Sequence, residues 1–183
     1  GVNAYIEDHK ETINEYILSG VVDYSPLEPL SDLEVFESVK DVLVNNDPIA
    51  GDVIFVHFDE LDGAGHGYGY SADVDEYVST LGIIDGYIEE LFNIIEQKRS
   101  TLEDWMIFIV SDHGGDGTGH GDSNNPNINQ TIFFAQHPSI NFPDNYITSM
   151  ADLAPTVLDF LGIYSEKFNC KKDGVSLINL SLE

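Results

Sequence analysis

Carboxylate and imidazole side chains cluster in two glycine-rich segments of this 183-residue sequence. In the first segment, Asp62 and His66 stand four residues apart with only small residues between them. In the second, Asp112 and His113 are adjacent, and His120 follows seven residues after His113. Oxygen and nitrogen ligands without a thiolate suit zinc, manganese or a similar divalent ion. The five residues are therefore predicted to be metal ligands.

A single Asp-x-x-x-His pair would be a weak signal, because surface loops rich in Asp and Gly are common. Three such elements, each in a loop that follows an apolar run, favour a metal site over chance. The other histidines are interpreted differently. We expect His9 to be solvated, His57 to be packed or to support a ligand, and His137 to lie in a loop without a carboxylate partner.

The sequence offers ligands without an obvious nucleophile. It contains no Gly-x-Ser-x-Gly elbow, no phosphate-binding loop of the Gly-Lys-Ser/Thr type and no dinucleotide fingerprint. Thr118 and Ser123 stand near the predicted ligands, but neither has an evident base beside it. Tyr68 and Tyr70 are interpreted either as a stacking surface for a base or sugar or as ordinary packing residues.

Apolar patterning predicts that these loops follow buried strands in an α/β domain with a mostly parallel central sheet flanked by helices. We expect Val53–Val56 and Trp105–Val110 to be adjacent parallel strands. The loops with the predicted ligands, Asp59–Tyr70 and Ser111–Asn129, should follow the carboxyl ends of these strands, where such sheets bind ligands. The remaining elements are a third strand at Thr131–Phe134, a helix around Ile13, a helix after a Ser31–Glu34 capping box, a long helix capped by Ser71, and a helix at Ala151–Leu161 that Gly162 ends.

Charge and composition exclude several classes of function. Seven Lys and Arg against 33 Asp and Glu give a net charge of −26, which repels phosphate backbones and argues against a nucleic-acid binding platform. No apolar run reaches the length of a membrane span. Cys170 is the only cysteine, so no internal disulfide can form.

Two N-x-S/T triplets, at Asn129 and Asn179, are weak hints of a glycoprotein and, with the charge, of an extracellular or periplasmic site.

Several sequence motifs resemble one enzyme superfamily, in order along the chain. FVHFDELDGAGHGYGYSADVDEY, which starts at Phe55, is similar to the Asp-x-x-Gly-His segment of the alkaline phosphatase superfamily, in the form found in its type I phosphodiesterase/nucleotide pyrophosphatase branch. MIFIVSDHGGDGTGHG resembles the strand and Ser-Asp-His-Gly segment of the same family, and ADLAPTVLDFLGI and DGVSL resemble its C-terminal helix and closing strand. The resemblance covers about residues 50–178 and implies an alkaline phosphatase-like fold.

The resemblance implies two divalent ions, zinc first and manganese as the alternative. One ion would bind Asp62, His66 and His120, and the other would bind Asp112 and His113. It also implies hydrolysis of phosphate esters by a two-metal in-line mechanism, with a Thr or Ser nucleophile that lies upstream of this chain. Residues 1–183 would then form a single unit, the C-terminal part of a larger domain, whose N-terminal half or another chain covers the sheet.

Two alternatives stay open: a phosphoethanolamine or phosphoryl transferase, and a non-catalytic extracellular structural or binding protein that retains the fold.

Overall fold

A computed structural model describes residues 30–45, 51–163 and 174–180. The described residues form two compact units, one of residues up to Glu103 together with Gly115–Gly119, the other of Asp104–Gly114 and the residues from His120 onward. The elements in chain order are α1 (Asp32–Asn45), α2 (Glu60–Tyr68), α3 (Asp75–Arg99), β1 (Ile107–Val110), α4 (Pro126–Asn129), β2 (Phe133–Gln136), a 3₁₀ turn (Met150–Asp152) and α5 (Leu153–Phe160). The predicted helix around Ile13 and the interpretation of His9 lie outside the described residues.

Helix α1 begins as its sequence predicts. The Ser31 N–H donates to the Glu34 carboxylate at 2.8 Å, and the Glu34 N–H donates to the Ser31 hydroxyl at 3.4 Å. This reciprocal pair is a capping box, which satisfies two amides at the helix start. Further along α1, Phe36 is buried and stacks on Tyr87 of α3 with ring centroids 4.6 Å apart. The capping box prediction is therefore confirmed, and the apolar face of α1 packs on α3.

Helix α2 replaces a predicted loop. The glycines of the segment from Asp59 to Tyr70 predict irregular structure, but Glu60–Tyr68 is helical. Its start is stabilised from α1: the Asp32 carboxylate accepts the Asp59 N–H at 2.8 Å and the Glu60 N–H at 3.1 Å. Asp32 is only 2% exposed. A cap from another helix offsets the low helix propensity of glycine, and the local sequence gives no sign of it.

Helix α3 confirms the predicted long helix but corrects its start. Val74 occupies the N-cap position without a side-chain hydrogen bond, and the Ser71 hydroxyl instead accepts the Asp73 N–H in the preceding turn, at 3.1 Å. The core-facing residues of α3 are Ile84, Leu91 and Ile95. Two further apolar residues of α3, Val78 and Leu81, are exposed. None of the described helices is both long and apolar enough to cross a bilayer.

The two described strands pair antiparallel. Ile107 lies opposite Gln136, and Val110 lies opposite Phe133. Strand β1 is the C-terminal part of the predicted strand Trp105–Val110, and β2 is shifted two residues beyond the predicted Thr131–Phe134. The chain reverses its direction between Val110 and Phe133, so the two strands pair antiparallel. Hydropathy does not reveal such a reversal.

The strand predicted at Val53–Val56 is not formed within the described ranges. Its residues carry no strand pairing, and Val53 and Phe55 are 55% and 78% exposed. A strand requires a partner for its backbone N–H and C=O groups, and no described segment supplies one. The mostly parallel central sheet is therefore not seen in the part of the chain that the structure describes.

Helix α5 is held by a buried carboxylate. The predicted helix Ala151–Leu161 is present as a 3₁₀ turn followed by α5, and Gly162, at φ +69°, ends it as expected. Asp152, 2% exposed, accepts the Ser149 N–H, the Tyr146 hydroxyl and the Val175 N–H, each at 2.9 Å. These bonds fix the segment that begins at Gly174 against the start of α5. That segment contains an isolated bridge, Ile140 to Ile178, and no closing strand.

Candidate metal centre

Asp62 and His66 lie one turn apart on α2. His66 Nε2 is 3.6 Å from Asp62 Oδ2, and His66 Nδ1 is 2.9 Å from the carbonyl oxygen of Thr118. Because a carbonyl oxygen can only accept a hydrogen bond, Nδ1 carries the proton. In the neutral ring Nε2 then bears the lone pair that a cation binds. An imidazole held through its other nitrogen is the usual arrangement of a histidine that binds a metal.

The same arrangement recurs after strand β1. The Asp112 carboxylate accepts the His113 N–H at 3.0 Å, and His113 Nε2 is 3.7 Å from Asp112 Oδ2. His113 Nδ1 is 2.9 Å from the carbonyl oxygen of Gly114. Nδ1 is again the protonated nitrogen, so Nε2 again carries the lone pair beside a carboxylate. Two independent Asp and His pairs thus have the same hydrogen-bonding pattern.

His120 joins the second pair through ring stacking. Its imidazole lies parallel to that of His113, with centroids 3.7 Å apart and an interplanar angle of 14°. The turn between them requires Gly114, because a Cβ there would meet the Asn127 carbonyl oxygen at 2.1 Å. The Gly114 N–H also donates to the Ile128 carbonyl at 2.8 Å. A larger residue at this position would therefore displace the loop that carries both histidines.

The structure brings the predicted ligands together in two groups. Asp62 and His66 belong to the first unit, whereas Asp112, His113 and His120 belong to the second. The side chains of His66 and Asp112 are 47% and 79% exposed, so at least one predicted ligand of each group can be reached from solvent. The convergence of the two groups on shared ions remains a prediction.

Tyr70 and Tyr77 lie beside Asp62, which the sequence does not reveal. The Tyr70 hydroxyl donates to Asp62 Oδ1 and also lies 3.3 Å from the Asp62 carbonyl oxygen. The ring of Tyr77 packs edge-on against that of Tyr70, with centroids 5.8 Å apart. Burial, and secondly the charge of Asp62, raise the pKa of the Tyr77 phenol. Tyr68, by contrast, is 61% exposed.

The interpretation of His137 as a histidine without a carboxylate partner is wrong. Its Nε2 is 2.9 Å from Asp104 Oδ1, and its Nδ1 accepts the Ser139 N–H at 3.1 Å. The carboxylate partner precedes His137 by 33 residues, so local spacing could not reveal it. Thr118 contributes its carbonyl group rather than its hydroxyl. His57 is half-buried, and its supporting role stays a prediction.

Residues 4–164 match the family model of type I phosphodiesterase / nucleotide pyrophosphatase. The chain belongs to this family, which is part of the alkaline phosphatase superfamily. The match confirms the resemblance carried by the sequence motifs and implies an alkaline phosphatase-like α/β fold. The matched range begins well before residue 50, where the resemblance of the motifs starts, and it ends before the DGVSL segment.

Two curated proteins show how the chain relates to longer relatives. The chain is 29% identical over 116 residues to a 2,3-bisphosphoglycerate-independent phosphoglycerate mutase of Malacoplasma penetrans, covering 61% of the chain and 21% of the mutase. It is 30% identical over 116 residues to a phosphopentomutase of Vibrio campbellii, covering 62% of the chain and 26% of that protein. The chain therefore matches about a fifth to a quarter of the length of these relatives. No solved structure gives a significant match.

Proposed function

We propose that the complete protein hydrolyses phosphate esters with the help of two divalent ions bound by this chain. Membership of the type I phosphodiesterase / nucleotide pyrophosphatase family supports the reaction class. The observation that carries the proposal is the shared pattern at His66 and His113. Each donates Nδ1–H to a backbone carbonyl at 2.9 Å and thereby presents Nε2 beside a carboxylate.

The donor chemistry fits zinc. Neutral imidazole nitrogens and carboxylate oxygens are its common non-thiolate ligands, and manganese is the alternative. We assign Asp62, His66 and His120 to one ion. Asp112 and His113 are assigned to the other ion. When bound, such a pair of ions stabilises the negative charge on the attacking and leaving oxygens of phosphoryl transfer.

Bound cations also resolve an electrostatic difficulty. The chain carries a net charge of −26, which opposes the approach of an anionic phosphate ester. Divalent ions are the largest local charges in such a site and reverse the field there. In this proposal the substrate is a phosphate ester held by the ions, whereas the acidic surface away from them makes nucleic acid a poor partner.

We further propose that this chain is the C-terminal part of a larger catalytic domain. The curated relatives are about four to five times longer than the matched region, which covers 21% and 26% of them. In the complete domain, Val53–Val56 would be a strand of a mostly parallel sheet, which would cover the exposed apolar side chains of Val53 and Phe55. A Thr or Ser nucleophile and one further Asp ligand would come from outside the described residues.

Transfer to an acceptor other than water is the second candidate. It is favoured by one observation, namely that both curated relatives are mutases by name. The products distinguish the two reactions, because hydrolysis releases the phosphoryl group to water and transfer retains it on an organic acceptor. A non-catalytic protein that keeps the fold would give neither product.

The test compares two histidine variants of the complete protein. We expect metal-free enzyme reloaded with zinc to hydrolyse p-nitrophenyl phosphate or bis(p-nitrophenyl) phosphate. His120→Ala should lower kcat/KM by more than about 100-fold, the upper range for residues that only orient ligands. His137→Ala is the matched control: it loses the bonds to Asp104 and Ser139 and some stability, but it should keep the rate. A wild-type rate in His120→Ala would contradict the proposal.

A further inference from the structure

Tyr70 contacts several parts of the first unit that bear or support predicted ligands. Its hydroxyl donates to Asp62 Oδ1, and its backbone N–H donates to the Gly117 carbonyl at 2.8 Å. Its ring lies edge-on to that of His66, with centroids 5.6 Å apart. Its ring also packs directly on two glycines. One residue therefore contacts the ligand helix α2 and the segment Gly115–Gly119 of the second glycine-rich loop.

The two glycines are explained by the Tyr70 ring. A Cβ at Gly65 would lie 2.2 Å from Tyr70 Cε1, and a Cβ at Gly115 would lie 2.2 Å from Tyr70 Cγ. Real Cβ contacts are not that short, so any other residue would push the ring away. Within the sequence motifs these glycines look like ordinary loop residues. In the structure the Tyr70 ring occupies the space that a Cβ at either position would need.

The hydroxyl of Tyr70 fixes the orientation of the Asp62 carboxylate. A neutral phenol donates one hydrogen bond, and here the acceptor is Oδ1. The other oxygen, Oδ2, is the one that faces His66 Nε2, at 3.6 Å. His66 is itself held by the Thr118 carbonyl, and Thr118 lies in the Gly115–Gly119 segment that Tyr70 contacts. Both predicted ligands of α2 are thus oriented through Tyr70 and this segment.

We infer that Tyr70 is a positioning residue, which holds the Asp62 carboxylate and the Gly115–Gly119 segment in the geometry that binds a divalent ion. The inference rests on the proposed function, since it takes Asp62 as a metal ligand. In this inference Tyr70 acts through Asp62 and is not itself a ligand of the ion. It removes the rotational freedom that Asp62 would otherwise lose on binding, so its hydroxyl should contribute to affinity.

The test measures zinc affinity rather than turnover. In the metal-free complete protein, competition with a chromophoric zinc chelator should show that Tyr70→Phe binds zinc about 10 to 100 times more weakly than wild type. Tyr146→Phe is the matched control, because Tyr146 also donates a hydrogen bond to a buried carboxylate, Asp152, at 2.9 Å. It should lose stability and keep wild-type zinc affinity.

A double-mutant cycle separates positioning from general damage. If Tyr70 acts through Asp62, Tyr70→Phe should have little further effect on zinc affinity in an Asp62→Ala background. Unchanged affinity in Tyr70→Phe, while wild type binds zinc, would overturn the inference and leave the proposed function intact. The inference would also be overturned if Tyr70→Phe lowered zinc affinity as much in the Asp62→Ala background as it does in wild type. A wild-type protein that binds neither zinc nor manganese would overturn both.

Discussion

Backbone carbonyl groups orient the two histidines that accompany aspartates in the candidate site. The types and spacing of Asp62, His66, Asp112 and His113 are enough to predict a metal site. The carbonyl partners, Thr118 and Gly114, do not follow from residue types, because every residue carries a carbonyl group. The role of Tyr70 is equally hidden, since a loop tyrosine is as often a packing residue. The sequence is thus enough to predict which residues are ligands, whereas the orientation of their side chains follows only from the structure.

Tyr146 allows a prediction about pH at the scale of one residue. Burial, then the hydrogen bond to Asp152 and its charge, raise the pKa of the Tyr146 phenol. The folded protein therefore holds this proton more tightly than the unfolded chain does. The resulting stability is fully present below the unfolded pKa of about 10 and is lost as the pH rises through the folded pKa.

Tyr146→Phe should accordingly cost about 1 to 2 kcal/mol in free energy of unfolding near pH 8, because the buried Asp152 loses a donor. The difference between wild type and variant should shrink above about pH 10. Urea unfolding at pH 8 and at alkaline pH measures both values. A difference that stays constant or grows with pH would refute the assignment of this proton.

Helix α2 shows what local sequence can and cannot predict at the scale of an element. Two local signals predict helix ends correctly: the Ser31–Glu34 capping box starts α1, and Gly162 ends α5. The predicted cap at Ser71 does not, because Val74 is the N-cap of α3. The helix that carries Asp62 and His66 does not follow from local signals, because its stabilising cap comes from Asp32 in a different element. The prediction of strand pairing from the sequence fails for the same reason. The partner of β1 is a matter of tertiary contacts, which apolar runs do not encode.

Asp32→Asn tests the cap. The substitution keeps one acceptor oxygen but places an amide NH₂ against the Asp59 or Glu60 N–H, so a buried donor loses its partner. We expect the free energy of unfolding of the metal-free protein to fall by about 1 to 3 kcal/mol. The control is Asp41→Asn, at an exposed position of the same helix, which should change it by less than about 0.5 kcal/mol. Equal effects of the two variants in urea unfolding would exclude a capping role for Asp32.

At the scale of the whole molecule, the predicted ligands are divided between two compact units. Asp62 and His66 lie in one, and Asp112, His113 and His120 lie in the other. The chain matches only about a fifth to a quarter of its curated relatives, and Val53 and Phe55 are exposed in the structure. These facts fit the proposal of a larger α/β domain, in which further residues would complete both the sheet and the site. The sequence motifs, which lie in the segments that carry the predicted ligands, predict the family correctly.

The most direct measurement is anomalous diffraction at the zinc absorption edge from crystals of the complete protein equilibrated with zinc. We predict two zinc peaks, one within bonding distance of Asp62, His66 and His120 and the other within bonding distance of Asp112 and His113. The absence of zinc from all five residues at saturating zinc, or zinc bound only elsewhere, would contradict the assignment of this metal centre.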